Sequence, residues 1–98
     1  MFYIVEIPPS VIKEIDRLSD YVFRFSFSGD IAKKVYDNLF RGIFSLEFMP
    51  YRFQQVLGDY RVVVVKGSYR VFYKIDETNK KVIIIRVLRS EQDFDDIL

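Results

Sequence analysis

Three short β-prone segments joined by tight turns constrain the fold more than any other feature of the sequence. They are residues 60–66, 69–76 and 81–88, with turns at Gly67–Ser68 and Thr78–Asn79. Valine, isoleucine and tyrosine, which dominate the segments, favour strands, and the turn residues are typical of hairpins. The C-terminal half is therefore predicted to form a three-stranded antiparallel meander.

The N-terminal half has helical periodicity after one short strand at residues 3–7. Pro8 and Pro9 end that strand, and proline suits the first turn of a helix. Asp30 is placed to cap a second helix. Apolar residues recur at helical spacing in two runs, Val11, Ile12, Ile15, Leu18 and Val22, then Ile31, Val35, Leu39, Ile43 and Leu46. Two such helices joined by a short turn predict an antiparallel helical hairpin.

The order of these elements predicts an α+β domain, with a twisted sheet and the helical hairpin on one of its faces. At 98 residues the chain is expected to form a single domain spanning residues 1–98. The acidic segment 90–98 has apolar residues at near-helical spacing. It is predicted to form a short final helix or an extended tail.

The composition excludes several chemistries. The chain has no cysteine and no histidine, which rules out disulfides, thiolate catalysis and any nucleophile activated by histidine. We expect no metal or other cofactor, and we interpret Asp93, Asp95 and Asp96 as a solvated acidic tail. The N-terminus lacks a basic targeting segment and no apolar run is long enough to cross a membrane, so a cytoplasmic protein without a membrane partner is expected.

Basic side chains alternate with aromatic ones along "GSYRVFYKID", residues 67–76. If Gly67–Ser68 is a two-residue loop, Val65 lies opposite Arg70, and facing side chains share one side of a sheet. On this register the side away from the helices carries Arg61, Arg70, Phe72, Lys74 and Arg89. Guanidinium groups on phosphates and Phe72 on a base would bind nucleic acid. Alternatively, these side chains only keep an exposed sheet face soluble.

Two further features leave alternatives open. Arg86 falls on the helix-covered side of this register, so either its stem reaches the sheet edge or a bulge shifts the register. The phenylalanines of residues 22–29 are interpreted as core or as the tip of the hairpin. If they are exposed, Phe25 and Phe27 mark a surface for a partner.

The layout resembles the RelE/ParE superfamily of bacterial toxins. The stretches that carry the resemblance are "YIVEIPPSVIKEIDRLSDYV", "SLEFMP", "LGDYRVVVVKGSYRVFYKIDE" and "VIIIRVLRSEQDF", which together cover nearly the whole chain. The resemblance implies a growth-inhibiting toxin of a type II toxin–antitoxin module, neutralised by an antitoxin that wraps it. RelE-like members cut mRNA on the ribosome, whereas ParE-like members inhibit DNA gyrase and need no catalytic residues. The shared fold does not choose between these targets.

The match to the nucleases is incomplete. Arg61 and Arg70 match two of their basic residues. A third falls near Ser90 to Gln92 without a gap, or on Arg89 with a small shift. Val63 and Phe94 stand where a second basic residue and a tail tyrosine are expected, which removes the general base and acid. The remaining substitutes are Tyr69, Tyr73 and Lys66. The resemblance therefore implies a ParE-like inhibitor of gyrase, with a ribosome-dependent mRNA endonuclease using Arg61, Arg70 and Arg89 as the alternative.

Overall fold

Residues 2–89 are described by a computed structural model of the chain. The elements in order are β1 (Ile4–Glu6), α1 (Pro9–Ser26), α2 (Gly29–Phe44), two 3₁₀ turns (Ser45–Glu47 and Pro50–Arg52), β2 (Gln54–Leu57), β3 (Tyr60–Val65), β4 (Tyr69–Asp76) and β5 (Lys81–Arg89). The tail predicted as a helix or an extended segment lies outside the described residues. No helix among residues 2–89 is long and apolar enough to cross a membrane.

The strands form one mixed sheet in the order β1-β5-β4-β3-β2. β1 runs parallel to β5, and the other neighbours are antiparallel. The predicted α+β class, helical hairpin and β3–β4–β5 meander are present, but the meander is only the centre of a five-stranded sheet. The sequence prediction missed β2 because all four of its residues are exposed, so no apolar alternation marks it as a strand.

Both helices pack on one side of the sheet, here called the helix face. Val11 and Ile15 of α1 and Leu39 and Ile43 of α2 are fully buried, as the helical spacing predicted. They share one core with residues of β3, β4 and β5, namely Val63, Val65, Val71, Tyr73, Val82, Ile84 and Val87. The opposite side, here called the outer face, holds a smaller apolar cluster of Val62, Phe72 and Leu88.

The cap of α2 differs from the prediction. Ser28 is the N-cap, and its hydroxyl oxygen accepts a hydrogen bond from the Ile31 N–H at 3.2 Å. Asp30 lies instead in the first turn of the helix. A carboxylate in that turn is stabilised by the positive end of the helix dipole, so both residues favour the start of α2.

The hairpin between β3 and β4 has a three-residue loop, and the predicted two-residue loop is wrong. Lys66 and Gly67 both have positive φ, at 53° and 69°. The Ser68 N–H donates to the Val65 carbonyl, and Val65 pairs with Tyr69 rather than with Arg70 as predicted. A register shift of one residue moves every side chain of a strand to the opposite face of the sheet. Val63 and Val65 of β3 therefore face the helices, and not Val62 and Val64 as predicted.

A β-bulge interrupts the pairing of β4 with β5. Phe72 lies opposite Arg86, while Tyr73 lies opposite Ile84, so Ile85 is an extra residue. Of the two alternatives for Arg86, the bulge is therefore the one present. Beyond it the predicted faces of β5 are reversed, because Val87 enters the core under the helices and Leu88 turns to the outer face.

Gly42 sets how closely α2 approaches β3. A Cβ atom built there would lie 2.6 Å from Cγ2 of Val65, which is itself buried and β-branched. Gly42→Ala is therefore expected to lower the free energy of unfolding by about 1–2 kcal/mol through overpacking. Urea denaturation would measure this. Gly29→Ala is the control, since nothing lies within 4 Å of its Cβ position. An equal response of both variants would contradict the close contact.

Candidate functional site

The outer face carries part of the predicted basic surface. Arg70, Phe72 and Lys74 alternate along β4 with Val71 and Tyr73, which face the core. These three therefore lie on the side away from the helices, as the sequence predicted. Phe72 is only 3 % exposed, however, and packs with the apolar cluster of the outer face. In this arrangement its ring offers no open surface on which a base could stack.

Arg61 lies on the helix face, and its predicted place beside Arg70 is wrong. It pairs with Tyr73 across the ladder. Its Nη1 donates to the carbonyl oxygens of Phe53 at 2.7 Å and Tyr51 at 3.2 Å, and its guanidinium lies 5.2 Å from the Tyr51 ring centre. The side chain thus fastens the loop before β2 to the sheet.

Arg89 is also separated from Arg70, and its predicted position beside Arg70 on the outer face is wrong. It lies opposite Tyr69, a residue packed against the core under the helices. Its guanidinium lies 4.2 Å from the ring centre of Tyr21 on α1. That distance suits a cation–π contact, so Arg89 links the end of β5 to α1.

Glu14 connects α1 to the bulge in β5. Its Oε2 accepts a hydrogen bond from Arg86 Nε at 2.5 Å, and its Oε1 accepts one from the Val87 N–H at 3.2 Å. The Glu14 carboxylate therefore supplies an acceptor for a backbone N–H of β5. Together with Arg17, Tyr21 and Arg89, these groups line a shallow groove of about 270 Å³.

Tyr73 is fully buried at the other end of the helix face. Its hydroxyl donates to the Pro50 carbonyl at 2.6 Å. Burial raises the pKa of Tyr73 to about 12, although the charges of Arg61 and Arg52 act in the opposite direction. The same loop is held by Arg52, whose guanidinium donates to the Phe48, Met49 and Ser45 carbonyls. Tyr73 is therefore a protonated structural donor.

The pKa of Tyr73 predicts a loss of stability in alkali. Between pH 10 and about pH 12 the unfolded tyrosine ionises while the folded one stays protonated, so the free energy of unfolding falls with pH. Tyr73→Phe is expected to be less stable by about 1–2 kcal/mol at pH 8, because the Pro50 carbonyl loses its donor. The gap to the parent should narrow towards pH 12 in urea titrations. Tyr36→Phe, at an exposed position of α2, controls for loss of a hydroxyl. A constant gap would contradict the assignment.

The carboxylate that β4 places on the outer face is a weak base. Asp76 stands six residues from Arg70, roughly 20 Å along the strand. Hydrogen bonds from the side chain and the N–H of Asn79 hold the pKa of Asp76 below its ordinary value. Within residues 2–89 no group of three or more acidic side chains could hold a metal ion.

The end of the helical hairpin answers the question left open by the sequence. Phe25 and Phe27 are 72 % and 86 % exposed, so they belong to the surface and not to the core. The sequence reasoning missed Glu14 and Arg52 as organising residues. Their partners are backbone groups and Arg86, and the only local signal for Glu14 was its position beside the buried stripe of α1.

Comparison with known proteins agrees with this architecture. The model of the family described as the ParE toxin of the type II toxin–antitoxin system parDE matches residues 5–94. No curated protein sequence matches the chain. Three solved structures are similar at low sequence identity, which shows a shared fold.

The first is a chain of the chromosomal ParDE system from P. aeruginosa, with a TM-score of 0.79, 12 % identity, and coverage of 92 % of this chain and 98 % of that one. The second belongs to the RelBE2 toxin–antitoxin complex from Mycobacterium tuberculosis. Its TM-score is 0.64 at 20 % identity, and the match covers 94 % of this chain and 95 % of that one. The third belongs to the archaeal RelE–RelB complex from Pyrococcus horikoshii. Its TM-score is 0.52 at 24 % identity, and the match covers 95 % of this chain and 100 % of that one. Each covers almost the full length of both chains.

Proposed function

The chain belongs to the ParE family of type II toxin–antitoxin toxins, and on that premise we propose that it arrests growth by binding DNA gyrase without any catalytic step. It is a type II toxin, and its protein partner is an antitoxin. We place its action in the cytoplasm, where gyrase and its DNA are found. The observation that carries the choice of target is the separation of the arginines that a nuclease would use.

Arg61 and Arg70 lie on opposite faces of the sheet. Arg61 points to the helix face, where two backbone carbonyls occupy its Nη1, and Arg70 belongs to the outer face with Lys74. In the nuclease hypothesis Arg61 and Arg70 would both have to reach the same phosphate to stabilise the charge that develops during RNA cleavage. The sheet between them prevents this convergence, which favours a binding mode of action over cleavage.

The positions that match the nuclease pattern also lack acid–base groups. Val63 is buried under the helices, where it contributes only packing. Tyr73, a candidate substitute, has its pKa raised to about 12 and donates to the Pro50 carbonyl, so it is a poor base near neutral pH. Phe94 lies outside the described residues. The mRNA endonuclease remains the alternative that the test below must distinguish.

The test adds the purified toxin to two defined reactions. One contains gyrase with relaxed plasmid, and the other contains a translating ribosome with defined mRNA. We expect loss of supercoiling and intact mRNA. Arg70→Ala and Lys74→Ala are expected to inhibit gyrase within about threefold of the parent, because neither belongs to a catalytic set. Cleavage of ribosome-bound mRNA that disappears in Arg70→Ala would overturn the proposal in favour of the endonuclease.

A further inference from the structure

The outer face contains three side chains that are buried although both described helices pack on the other side of the sheet. They are Val62, Phe72 and Leu88, here called the outer cluster, and they are 9 %, 3 % and 5 % exposed. An antiparallel sheet with helices on one side normally shows the side chains of its other side to water. The Phe72 ring stands higher above the sheet than the valine and leucine beside it, so these lateral neighbours do not bury its upper side. The outer cluster therefore needs a cover.

Val64 marks where that cover ends. It follows Val62 by two residues on β3, so the two side chains lie on the same face of the sheet. Nevertheless 53 % of Val64 is exposed, against 9 % of Val62. The cover is therefore local and lies above the part of the outer face where Phe72 and Leu88 meet.

The described part of the chain, residues 2–89, offers no element for this position. The helices and the first 3₁₀ turn contact the helix face, where Ile15, Leu39 and Leu46 belong to one core. β2 extends the sheet beside β3 and does not lie over it. These exposures are those of the single chain, so the burial is produced neither by an antitoxin nor by a second copy. The cover must therefore come from the rest of the same chain.

Residues 90–98 begin beside the outer cluster. Leu88 is a member of the cluster, and Arg89 is the last residue of β5. Phe72 is one strand and two residues away from Leu88, roughly 8 Å, and nine residues can span up to about 30 Å. Met1, in contrast, precedes β1, which pairs with the start of β5 at the end far from Leu88. Residues 90–98 are therefore the segment within reach.

The composition of residues 90–98 is complementary to this surface. The segment contains three large apolar residues, Phe94, Ile97 and Leu98, which suit an apolar cluster. It also contains four of the 14 acidic residues of the chain and none of its 15 basic ones. Arg70 borders the outer cluster, because it lies between Val64 and Leu88 on this face. Acidic side chains beside a guanidinium are electrostatically complementary.

We propose that residues 90–98 return over the outer face and cover the outer cluster, with their apolar side chains on Phe72 and their acidic side chains near Arg70. A segment attached beside its own binding surface has an effective concentration of about 1 mM or more, so weak contacts suffice. This position replaces the solvated tail expected from the sequence. A ligand that needs Arg70 and Phe72, as the nucleic acid of the sequence prediction does, must first displace the segment. The proposal concerns the free toxin and is independent of its target.

Single cysteines test the cover, because the chain has no cysteine of its own. Val62→Cys places a thiol under the proposed cover, and Val64→Cys is the matched control on the same strand and face. Cysteine behaves as a small hydrophobic residue, so both changes are conservative. In the full chain, we expect a thiol reagent to modify Val62→Cys at least about tenfold more slowly than Val64→Cys. Equal rates would contradict the proposal.

Removing the apolar side chains of the segment should open the outer cluster. With Phe94, Ile97 and Leu98 all changed to serine, Val62→Cys is expected to react at least about tenfold faster than in the otherwise unchanged chain. Gln92→Ala is the control, because it alters the same segment without removing an apolar or acidic side chain, and it should preserve the protection. Protection of Val62→Cys that survives the triple change would overturn the proposal.

A second measurement locates the segment without weakening it. A nitroxide attached at Val64→Cys, beside the outer cluster, is expected to broaden the NMR amide signals of residues 93–98 in the full chain. A nitroxide attached at Lys33→Cys, an exposed position of α2 on the opposite side of the sheet, should leave those signals sharp. Broadening from Val64→Cys alone supports the proposal even if the serine variant unfolds. Equal signals with both labels would overturn it.

Discussion

Replacing Arg61 with alanine is expected to lower the free energy of unfolding by about 3 kcal/mol. The substitution removes a charged donor from the carbonyl oxygens of Tyr51 and Phe53, and a hydrogen bond to a charged group contributes about 1.5–3 kcal/mol. It also removes the contact of the guanidinium with the Tyr51 ring. The loop that leads into β2 loses its attachment to the sheet, and the Tyr73–Pro50 bond next to it is weakened.

Urea denaturation of the Arg61→Ala variant measures this effect directly. Lys74→Ala is the control, because it removes an exposed basic residue of the same sheet and is expected to change stability by less than about 0.5 kcal/mol. Growth arrest by Arg61→Ala should fall only as far as the folded fraction falls. A variant that keeps the parent's stability and yet loses toxicity would give Arg61 a direct role in binding or cleavage, as the nuclease hypothesis requires.

Helical periodicity made the N-terminal half predictable, because a stripe of apolar residues survives small errors in helix boundaries. Ile15 is buried whether α1 begins at Pro9 or at Ser10. The outer-face position of Arg70 and Lys74 was predictable for a similar reason. Charged residues alternate with apolar ones in β4, and only one face of the sheet had to be covered by helices.

The faces of β3 were not predictable, because four consecutive valines from Val62 to Val65 give no alternation that distinguishes core from surface. The prediction therefore rested on loop length alone. The Gly67–Ser68 pair suggested a two-residue loop. Lys66 also adopts positive φ and does not pair with β4, so the loop has three residues. With one more residue in the loop, Arg61 lies on the helix face and not on the outer face. The two arginines of the candidate nuclease site, Arg61 and Arg70, are therefore on opposite faces of the sheet.

The site of Glu14 was unpredictable for a different reason. The partners Glu14 and Arg86 are 72 residues apart, and they meet beside the bulge in β5, where the Val87 N–H also donates to Glu14. The sequence offered the bulge as one of two explanations for Arg86, but it contained no local signal for the acceptor. Bulges are decided by packing on both faces of a sheet, which is a property of the assembled fold.

Glu14→Ala is expected to lower the free energy of unfolding by about 2–3 kcal/mol. Glu14 and Arg86 have side chains that are 16 % and 35 % exposed, so their charges are partly removed from water. The alanine variant leaves the Arg86 guanidinium and the Val87 N–H without this acceptor, and both penalties add to the lost attraction. Because α1 contacts the sheet mainly through β5, the angle of the hairpin and its tip is expected to change as well.

A double-mutant cycle with Arg86→Ala tests which contact of Glu14 contributes more to stability, the ion pair with Arg86 or the hydrogen bond from the Val87 N–H. If the ion pair dominates, Glu14→Ala and the double variant should have similar stabilities, with a coupling energy above about 1 kcal/mol. If the Val87 N–H dominates, Glu14→Gln, which keeps an amide oxygen as acceptor, should recover more than half of the loss. Full stability of Glu14→Ala would show that the bulge forms without the carboxylate. The exposed Asp16→Ala, two residues further along α1, is the matched control and should stay within about 0.5 kcal/mol of the parent.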